Sequence, residues 1–145
     1  IIFIMSANTD YYCLDNNYSE EQILIRNATR DWVNKHVKPN IEEHFQKAET
    51  PSYLIKELSN IGGFGLIIPE SYGGVGADYI SFGLMMQELE RGDSSIRVIS
   101  SIQTSLVMYA IYKFGSEDQK EKYLPNLASG EMLGAFGLTE PDFGS

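Results

Sequence analysis

The chain changes from helical to extended patterning over its last ten residues, Phe136-Gly137-Leu138-Thr139-Glu140-Pro141-Asp142-Phe143-Gly144-Ser145. The apolar run from Leu133 to Leu138 predicts a short extended segment. Pro141 fixes its own φ angle and disfavours the helical region for Glu140, so we expect a turn to begin there. Since the preceding sequence is helical in pattern, we predict an all-α domain that is followed here by the first strand of a second domain.

The polar groups of this last stretch would meet at one place. Gly144 permits a backbone geometry that a Cβ would prevent, and consecutive amide N–H groups would then face the same way as the hydroxyls of Thr139 and Ser145. Such a set of donors suits a flat, polar-edged or anionic ligand. An ordinary turn after a strand has the same pattern, so both interpretations stay open at this point.

Composition limits the class of protein. The 145 residues, 43% hydrophobic and 21% charged, are typical of about one globular domain. The formal net charge of −9 argues against a nucleic-acid partner, which requires a concentrated basic face. No apolar run reaches the roughly 18 residues of a membrane span. Cys13 is the only cysteine, so we predict neither a disulfide within the chain nor a cysteine-based metal site.

The two ends of the chain lead to further expectations. The first residues, Ile1 to Ser6, lack the basic region and the length of a secretory signal, so we expect a cytoplasmic location. Residues 1–18 show no helical period and are expected to form a flexible N-terminal arm. At the other end, Ser145 directly follows a structured motif, and we therefore expect the chain to be a fragment of a longer protein.

About six helices are predicted between Ser19 and Pro125 from apolar spacing and from start and stop signals. Ser19 to Gln22 and Ser116 to Gln119 are capping boxes for the first and the sixth helix. The four helices between them are expected to begin near Ile41, Pro51, Asp78 and Ser94. The glycine-rich loop from Pro69 to Gly76 lacks the Lys-Ser/Thr pair of a phosphate-binding loop, so we favour a tight bend there.

The fifth predicted helix, Ser94 to about Lys113, is unusual because its first turns are small or polar. Its buried face is expected to consist of Ile99, Ile102, Leu106, Val107, Ala110 and Ile111. The polar residues of its first turns are Arg97, Ser100, Ser101, Gln103, Thr104 and Ser105. They predict either the lining of a cavity or a solvated helix end.

Several motifs taken together resemble the acyl-CoA dehydrogenase family. The stretch from Gly137 to Asp142, with Gly144 and Ser145, looks like the flavin-site signature of that family. Other family landmarks follow the same order along the chain: Pro69 to Gly74, Gly115 to Lys120, and Lys122 to Pro125. The resemblance implies FAD as cofactor, a helical N-terminal domain over 19–131, and the truncated start of a β-barrel domain over 132–145.

The resemblance also implies roles for particular residues. Phe136, Leu138 and Thr139 would lie along the flavin ring, with the Thr139 hydroxyl and backbone amides, including that of Gly137, near its pyrimidine edge. Ser145 would lie near the flavin pyrophosphate and the acyl-CoA. The catalytic base of the family is a glutamate in a later helical domain. We therefore assign no catalytic residue in this chain and expect it to be inactive on its own.

A narrower resemblance is to the glutaryl-CoA dehydrogenases, carried by Glu88 to Arg97 and by Gln103 to Tyr109. It implies that Arg97 and Ser101 hold the distal carboxylate of the substrate and that Glu90 lies nearby. A guanidinium suits this task because it gives paired, charge-assisted hydrogen bonds to a carboxylate. The implied reaction oxidises glutaryl-CoA and releases its distal carboxyl group as carbon dioxide, which yields crotonyl-CoA.

Three positions depart from the glutaryl-CoA dehydrogenase pattern, in which serine, glycine and proline are common at the places of Val98, Ser95 and Ala110. Plant-type short-chain acyl-CoA oxidases share much of the remaining pattern, so another short-chain acyl-CoA is the alternative substrate. A non-catalytic helical binding module is the alternative from a different class. The family resemblance further implies electron-transferring flavoprotein as acceptor and a homotetramer.

Overall fold

The structure, a computed structural model, describes residues 11–144, and six helices form its framework. Two of them continue through a π-helical segment. In chain order they are α1 (Glu20–Trp32, continued by Val33–Val37), α2 (Ile41–Lys47), α3 (Ser52–Asn60), α4 (Tyr79–Gly92), α5 (Ser94–Ser101, continued by Ile102–Met108 and Tyr109–Phe114) and α6 (Glu117–Ala128). The predicted number of helices is confirmed. Ser145 and residues 1–10, most of the predicted N-terminal arm, lie outside the described residues.

Side-chain caps begin four of these helices. The Ser19 Oγ accepts from the Gln22 N–H at 3.2 Å while the Gln22 Oε1 accepts from the Ser19 N–H at 2.9 Å, and Ser116 starts α6 with the same box. Asp78 and Asp93 accept from the first free amides of α4 and α5. Each cap satisfies helix-end donors that have no partner inside the helix, which is why these positions fix the helix starts.

Two apolar clusters form the core. The larger joins α1, α3, α4 and the start of α5, and the smaller joins the end of α5 to α6. Fully buried members of the larger cluster include Val33, Leu58 and Leu89, whereas Ile68, Met108 and Leu124 represent the smaller one. Among the described helices, α4 packs most extensively against α1 and α5.

The predicted buried face of α5 is confirmed only in part, since Ile99, Val107 and Ile111 pack against the core clusters but are partly buried. The side chains that α5 buries are Ile96, Ser100, Gln103, Thr104 and Met108, while Leu106 is 44% exposed. These five follow a helical spacing on a face that is rotated from the predicted one and overlaps it in part. The polar members can face the core because each is hydrogen-bonded there, as buried polar groups generally are.

The prediction of a strand is not confirmed. Residues 11–144 contain no β-strand, and 133–139 have no regular secondary structure. Only an isolated bridge follows, in which Glu140 and Phe143 exchange backbone hydrogen bonds of 2.9 and 3.2 Å around the expected Pro141 turn. A strand requires a neighbouring strand to take its backbone groups, and the described part of the chain offers none. An apolar run is therefore not sufficient for a strand here.

The glycine-rich loop is a tight bend, as predicted. The amides of Gly74, Val75 and Gly76 donate to the carbonyls of Pro69, Gly65 and Ile68, at 3.2, 3.2 and 2.8 Å, so the loop folds back on itself and on the residues just before it. A Cβ on Gly74 would lie only 2.0 Å from the Ile68 carbonyl oxygen, so the bend requires glycine there. Because its amides point into the loop, they are not offered to a phosphate. None of the helices described is long and apolar enough to span a bilayer.

Candidate functional site

Arg97 and Glu90 form an ion pair across the α4–α5 junction. The Arg97 Nε lies 2.7 Å from the Glu90 Oε2, and the other carboxylate oxygen accepts from the Ser94 hydroxyl at 2.7 Å. The Asp93 cap turns the chain between α4 and α5, which brings residues seven apart in sequence together. The hydrogen bond from Arg97, followed by that from Ser94, lowers the pKa of Glu90. Glu90 is therefore ionised at neutral pH.

The Arg97 guanidinium retains hydrogen-bonding capacity. Glu90 engages its Nε, and within residues 11–144 the two terminal nitrogens donate to no other group. The Arg97 side chain is 34% exposed, so it is partly open to solvent. Two terminal N–H groups in one plane match the two oxygens of a carboxylate. The arrangement can therefore bind an incoming carboxylate without first breaking the contact with Glu90.

Ser101 lies one turn after Arg97, on the same face of α5. Its hydroxyl donates to the Val98 carbonyl at 3.1 Å, and its own carbonyl accepts from the Ser105 hydroxyl at 2.6 Å. A side chain that bonds back to its own helix must rotate before it can donate to a ligand. The structure thus brings Arg97 and Glu90 into contact and places Ser101 beside them with its proton turned to the helix.

The stretch that was predicted to face a flavin is exposed. Phe136 is 51% and Leu138 57% exposed, and a Cβ on Gly137 would meet nothing within 4 Å. The amides of these three residues make no hydrogen bond within 11–144. The stretch therefore presents two exposed apolar side chains beside amide donors that no group within residues 11–144 engages. Ser145, predicted for the same site, lies outside the described residues.

The two groups of predicted site residues stay separate in their bonding. Within residues 11–144, no hydrogen bond or ion pair joins Arg97, Glu90 or Ser101 to 136–138. What connects the two regions is α5 itself. Arg97 and Ser101 lie on one of its faces, and Gln103 on its buried face reaches the segment that leads to Phe136.

Three buried polar residues of α5 were not recognised as anchors from the sequence. The Ser100 hydroxyl donates to the Gly63 carbonyl, and the Gly65 N–H donates to the Thr104 Oγ1 at 3.0 Å. Gln103 uses both its amide donor and its acceptor. The available signal was the spacing of these polar residues, which occupy positions i, i+3 and i+4 on one side of the helix. Polar residues with this spacing can face the core when their hydrogen bonds are satisfied there, and need not line a cavity.

Comparison with known proteins places these features in a family. The model of the acyl-CoA dehydrogenase N-terminal domain matches residues 19–131. An acyl-CoA dehydrogenase of Bacillus subtilis is 44% identical over 127 residues, which are 88% of this chain and 34% of that protein. A glutaryl-CoA dehydrogenase of Desulfococcus multivorans is 37% identical over 139 residues, covering 91% of this chain and 35% of the relative.

A solved structure agrees with this match. A glutaryl-CoA dehydrogenase from Mycobacterium smegmatis, in complex with FADH2, superposes with a TM-score of 0.87 at 44% identity. The superposition covers 92% of this chain and 34% of that one, so the chain spans about a third of the length of its relatives. The helical fold, the order of the motifs and the family model lead to one conclusion: the chain belongs to the acyl-CoA dehydrogenase family.

Proposed function

We propose that this chain is the helical part of an FAD-dependent enzyme that dehydrogenates glutaryl-CoA between the α and β carbons and then releases carbon dioxide to give crotonyl-CoA. The observation that carries the substrate assignment is the Arg97 guanidinium beside Glu90, whose two terminal nitrogens have no hydrogen-bond partner among residues 11–144. An uncharged acyl chain has no use for such a group. A dicarboxylic acyl chain would occupy both nitrogens with its distal carboxylate.

Glu90 has a distinct part in this arrangement. Because Arg97 lowers its pKa, Glu90 remains a carboxylate and holds the guanidinium by its Nε edge. The terminal nitrogens are then presented in a fixed direction, which reduces the ordering required when a ligand binds. Ser101 would add a hydrogen bond after its hydroxyl turns away from the Val98 carbonyl. Val98, half-buried beside it, adds only apolar surface.

The residues from Phe136 to Thr139 would hold the cofactor. Phe136 and Leu138 would cover the ring, and the amides of 136–138 would donate to its polar edge, with the Thr139 hydroxyl as a further donor. FAD, when bound, supplies the acceptor for the hydride of the β carbon. Fixed donors at the ring edge stabilise the negative charge that develops during such a reduction. Ser145 completes the set in this proposal, and the catalytic base belongs to another part of the protein.

The remaining assignments follow from family membership. We propose domain limits of 1–18 for the arm, 19–131 for the helical domain and 132–145 for the start of the β domain. We further propose a cytoplasmic homotetramer that passes electrons to electron-transferring flavoprotein. A dehydrogenase or oxidase for another short-chain acyl-CoA is the alternative if Arg97 serves only its contact with Glu90.

The test is an Arg97→Ala variant of the complete protein, assayed with glutaryl-CoA and butyryl-CoA. Truncating a charged hydrogen-bonding partner typically costs about 2–5 kcal/mol, so kcat/KM for glutaryl-CoA should fall by about 30-fold or more. The value for butyryl-CoA should change by less than about threefold. Arg91→Ala is the matched control, because Arg91 also pairs with a glutamate of α4 but at a different place. Equal losses on both substrates would refute the carboxylate role.

A further inference from the structure

Gln103 joins α5 to the segment that precedes residues 136–139, which are called the flavin stretch below. It is 2% exposed, and its Nε2 donates to the carbonyls of Leu127 and Met132, each at 2.8 Å. Its Oε1 accepts from the Gly134 N–H at 2.9 Å. The Gln103 amide therefore connects the middle of α5 to the end of α6 and to the backbone on both sides of residue 133. Three well-formed bonds at a buried site leave the amide one orientation.

Gly134 adds a second point of attachment. A Cβ at this position would lie 2.4 Å from the Val107 Cγ1, so the backbone touches α5 in a way that only glycine allows. The side chains around it do not share in this attachment, because Leu133 is 53% and Phe136 51% exposed. Beyond it, the Glu140–Phe143 bridge is local to its own turn. Gln103 and Gly134 thus connect α5 to the start of 135–139, while the Met132 N–H, which donates to the Asn126 carbonyl at 3.0 Å, attaches the same segment to α6.

We propose that Gln103 is the positioning residue of the flavin stretch. Its three hydrogen bonds hold the segment before Phe136 against α5, and they thereby fix the direction in which Phe136 to Thr139 run. The inference rests on the proposed function, since it concerns the same site. It also gives a physical link between the two halves of that site. Arg97 and Ser101 are on the same helix as Gln103, so one rigid element holds both the carboxylate-binding side chains and the anchor of the flavin stretch.

The experiment measures FAD affinity of the complete apoprotein with Gln103→Met, which keeps the side-chain length but removes all three hydrogen bonds. Loss of this anchor should raise the Kd for FAD by roughly tenfold or more. Gln87→Met is the matched control because Gln87 is an exposed glutamine of the neighbouring helix α4, and its Kd should equal that of the wild type. Gly134→Ala should weaken FAD binding as well, because its Cβ would push the segment off Val107.

A Gln103→Glu variant separates positioning from general destabilisation. An ionised carboxylate would face the two carbonyls of Leu127 and Met132, whereas the protonated form can donate to one of them and still accept from Gly134. FAD affinity of this variant should therefore improve between about pH 8 and about pH 5 relative to the wild type at the same pH. A merely structural role predicts that FAD affinity recovers only in step with the urea midpoint of the variant, whereas a positioning role predicts weak binding at about pH 8 even where the variant is folded. This variant also serves if Gln103→Met fails to fold.

The outcomes distinguish this inference from the proposed function. If the wild type binds FAD and both Gln103 variants bind it within about twofold, the positioning role is refuted and the flavin assignment stands. If the wild-type protein binds no FAD at all, the proposed function is refuted, and the positioning role with it. The positioning role would be supported if Gln103→Met binds FAD weakly and Gln87→Met binds it as tightly as the wild type. It would be supported further if the FAD affinity of Gln103→Glu recovers at acidic pH.

Discussion

Glu88 offers the sharpest test of how α1 and α4 are held together. Its side chain is 3% exposed, and its Oε1 accepts from Arg30 through Nε at 3.0 Å and Nη2 at 2.6 Å. Its Oε2 accepts from the Arg91 Nε at 2.7 Å. A glutamine at this position keeps the size but turns an N–H donor toward arginine donors. Glu88→Gln should therefore destabilise the α1–α4 contact specifically.

The magnitude follows from the exposure of the partners. Removing one member of a buried ion pair costs about 3–5 kcal/mol when the remaining charge stays buried. The side chains of Arg30 and Arg91 are 46% and 34% exposed, however, so water can solvate both after the change. We therefore expect the free energy of unfolding to fall by about 1–3 kcal/mol, the range for hydrogen bonds to charged groups.

The measurement is urea unfolding of the chain, followed by the fluorescence of Trp32, its only tryptophan. Trp32 lies in the larger core cluster beside α4 and is 7% exposed, so it reports on this contact. Glu43→Gln is the matched control, because Glu43 pairs with Lys47 at the surface and its loss should hardly move the midpoint. If Glu88→Gln unfolds at the same urea concentration as Glu43→Gln, the pair does not stabilise the fold.

The pH dependence of the same pair has a definite sign. Burial alone would raise the pKa of Glu88, but hydrogen bonds from Arg30 and then Arg91 outweigh it and lower the pKa below the ordinary value of 4.5. A carboxylate with a lowered folded-state pKa contributes stability above its unfolded pKa and loses it as pH falls through the folded value. Wild type should thus lose its advantage over Glu88→Gln below pH 4.5, and an advantage that grows on acidification would contradict this.

Two further predictions concern packing and buried hydrogen bonds. Gly92→Ala should destabilise the fold by about 1–3 kcal/mol, because its Cβ would lie 2.6 Å from the Val33 Cγ1. Gly83→Ala, on the open face of the same helix, should instead stabilise the fold by about 0.5–1 kcal/mol. Equal effects of the two substitutions in urea unfolding would contradict the packing of α1 on α4. Thr104→Val should cost about 1–3 kcal/mol, since the buried Gly65 N–H loses its acceptor, and hydrogen exchange at Gly65 should speed up accordingly.

Local signals in the sequence predicted the helical framework well. Capping boxes at Ser19 and Ser116, and the aspartates before α4 and α5, act through contacts within three residues, so they can be read without knowing the fold. The prediction for α5 was only partly right, because the face that is buried depends on partners far along the chain. Gln103 faces the core only because Leu127, Met132 and Gly134 supply its hydrogen bonds.

The candidate site was predictable to a similar degree. The resemblance directed attention to Arg97 and Glu90, and the structure adds their direct contact and two Arg97 nitrogens that make no hydrogen bond in the described part of the chain. The extended stretch could not be assigned correctly from its apolar pattern, because a strand depends on a neighbour that the described residues lack. Leu138 and Phe136 are exposed for the same reason. Sequence patterns describe a segment, whereas pairing is a property of two segments.

The most direct test of the central claim is a product analysis of the complete protein, reconstituted with FAD and supplied with glutaryl-CoA and an electron acceptor. The proposed function predicts that crotonyl-CoA and carbon dioxide form in equal amounts, because each oxidised substrate loses its distal carboxyl group. A protein that binds no FAD, or one that oxidises butyryl-CoA while leaving glutaryl-CoA unchanged, would contradict it.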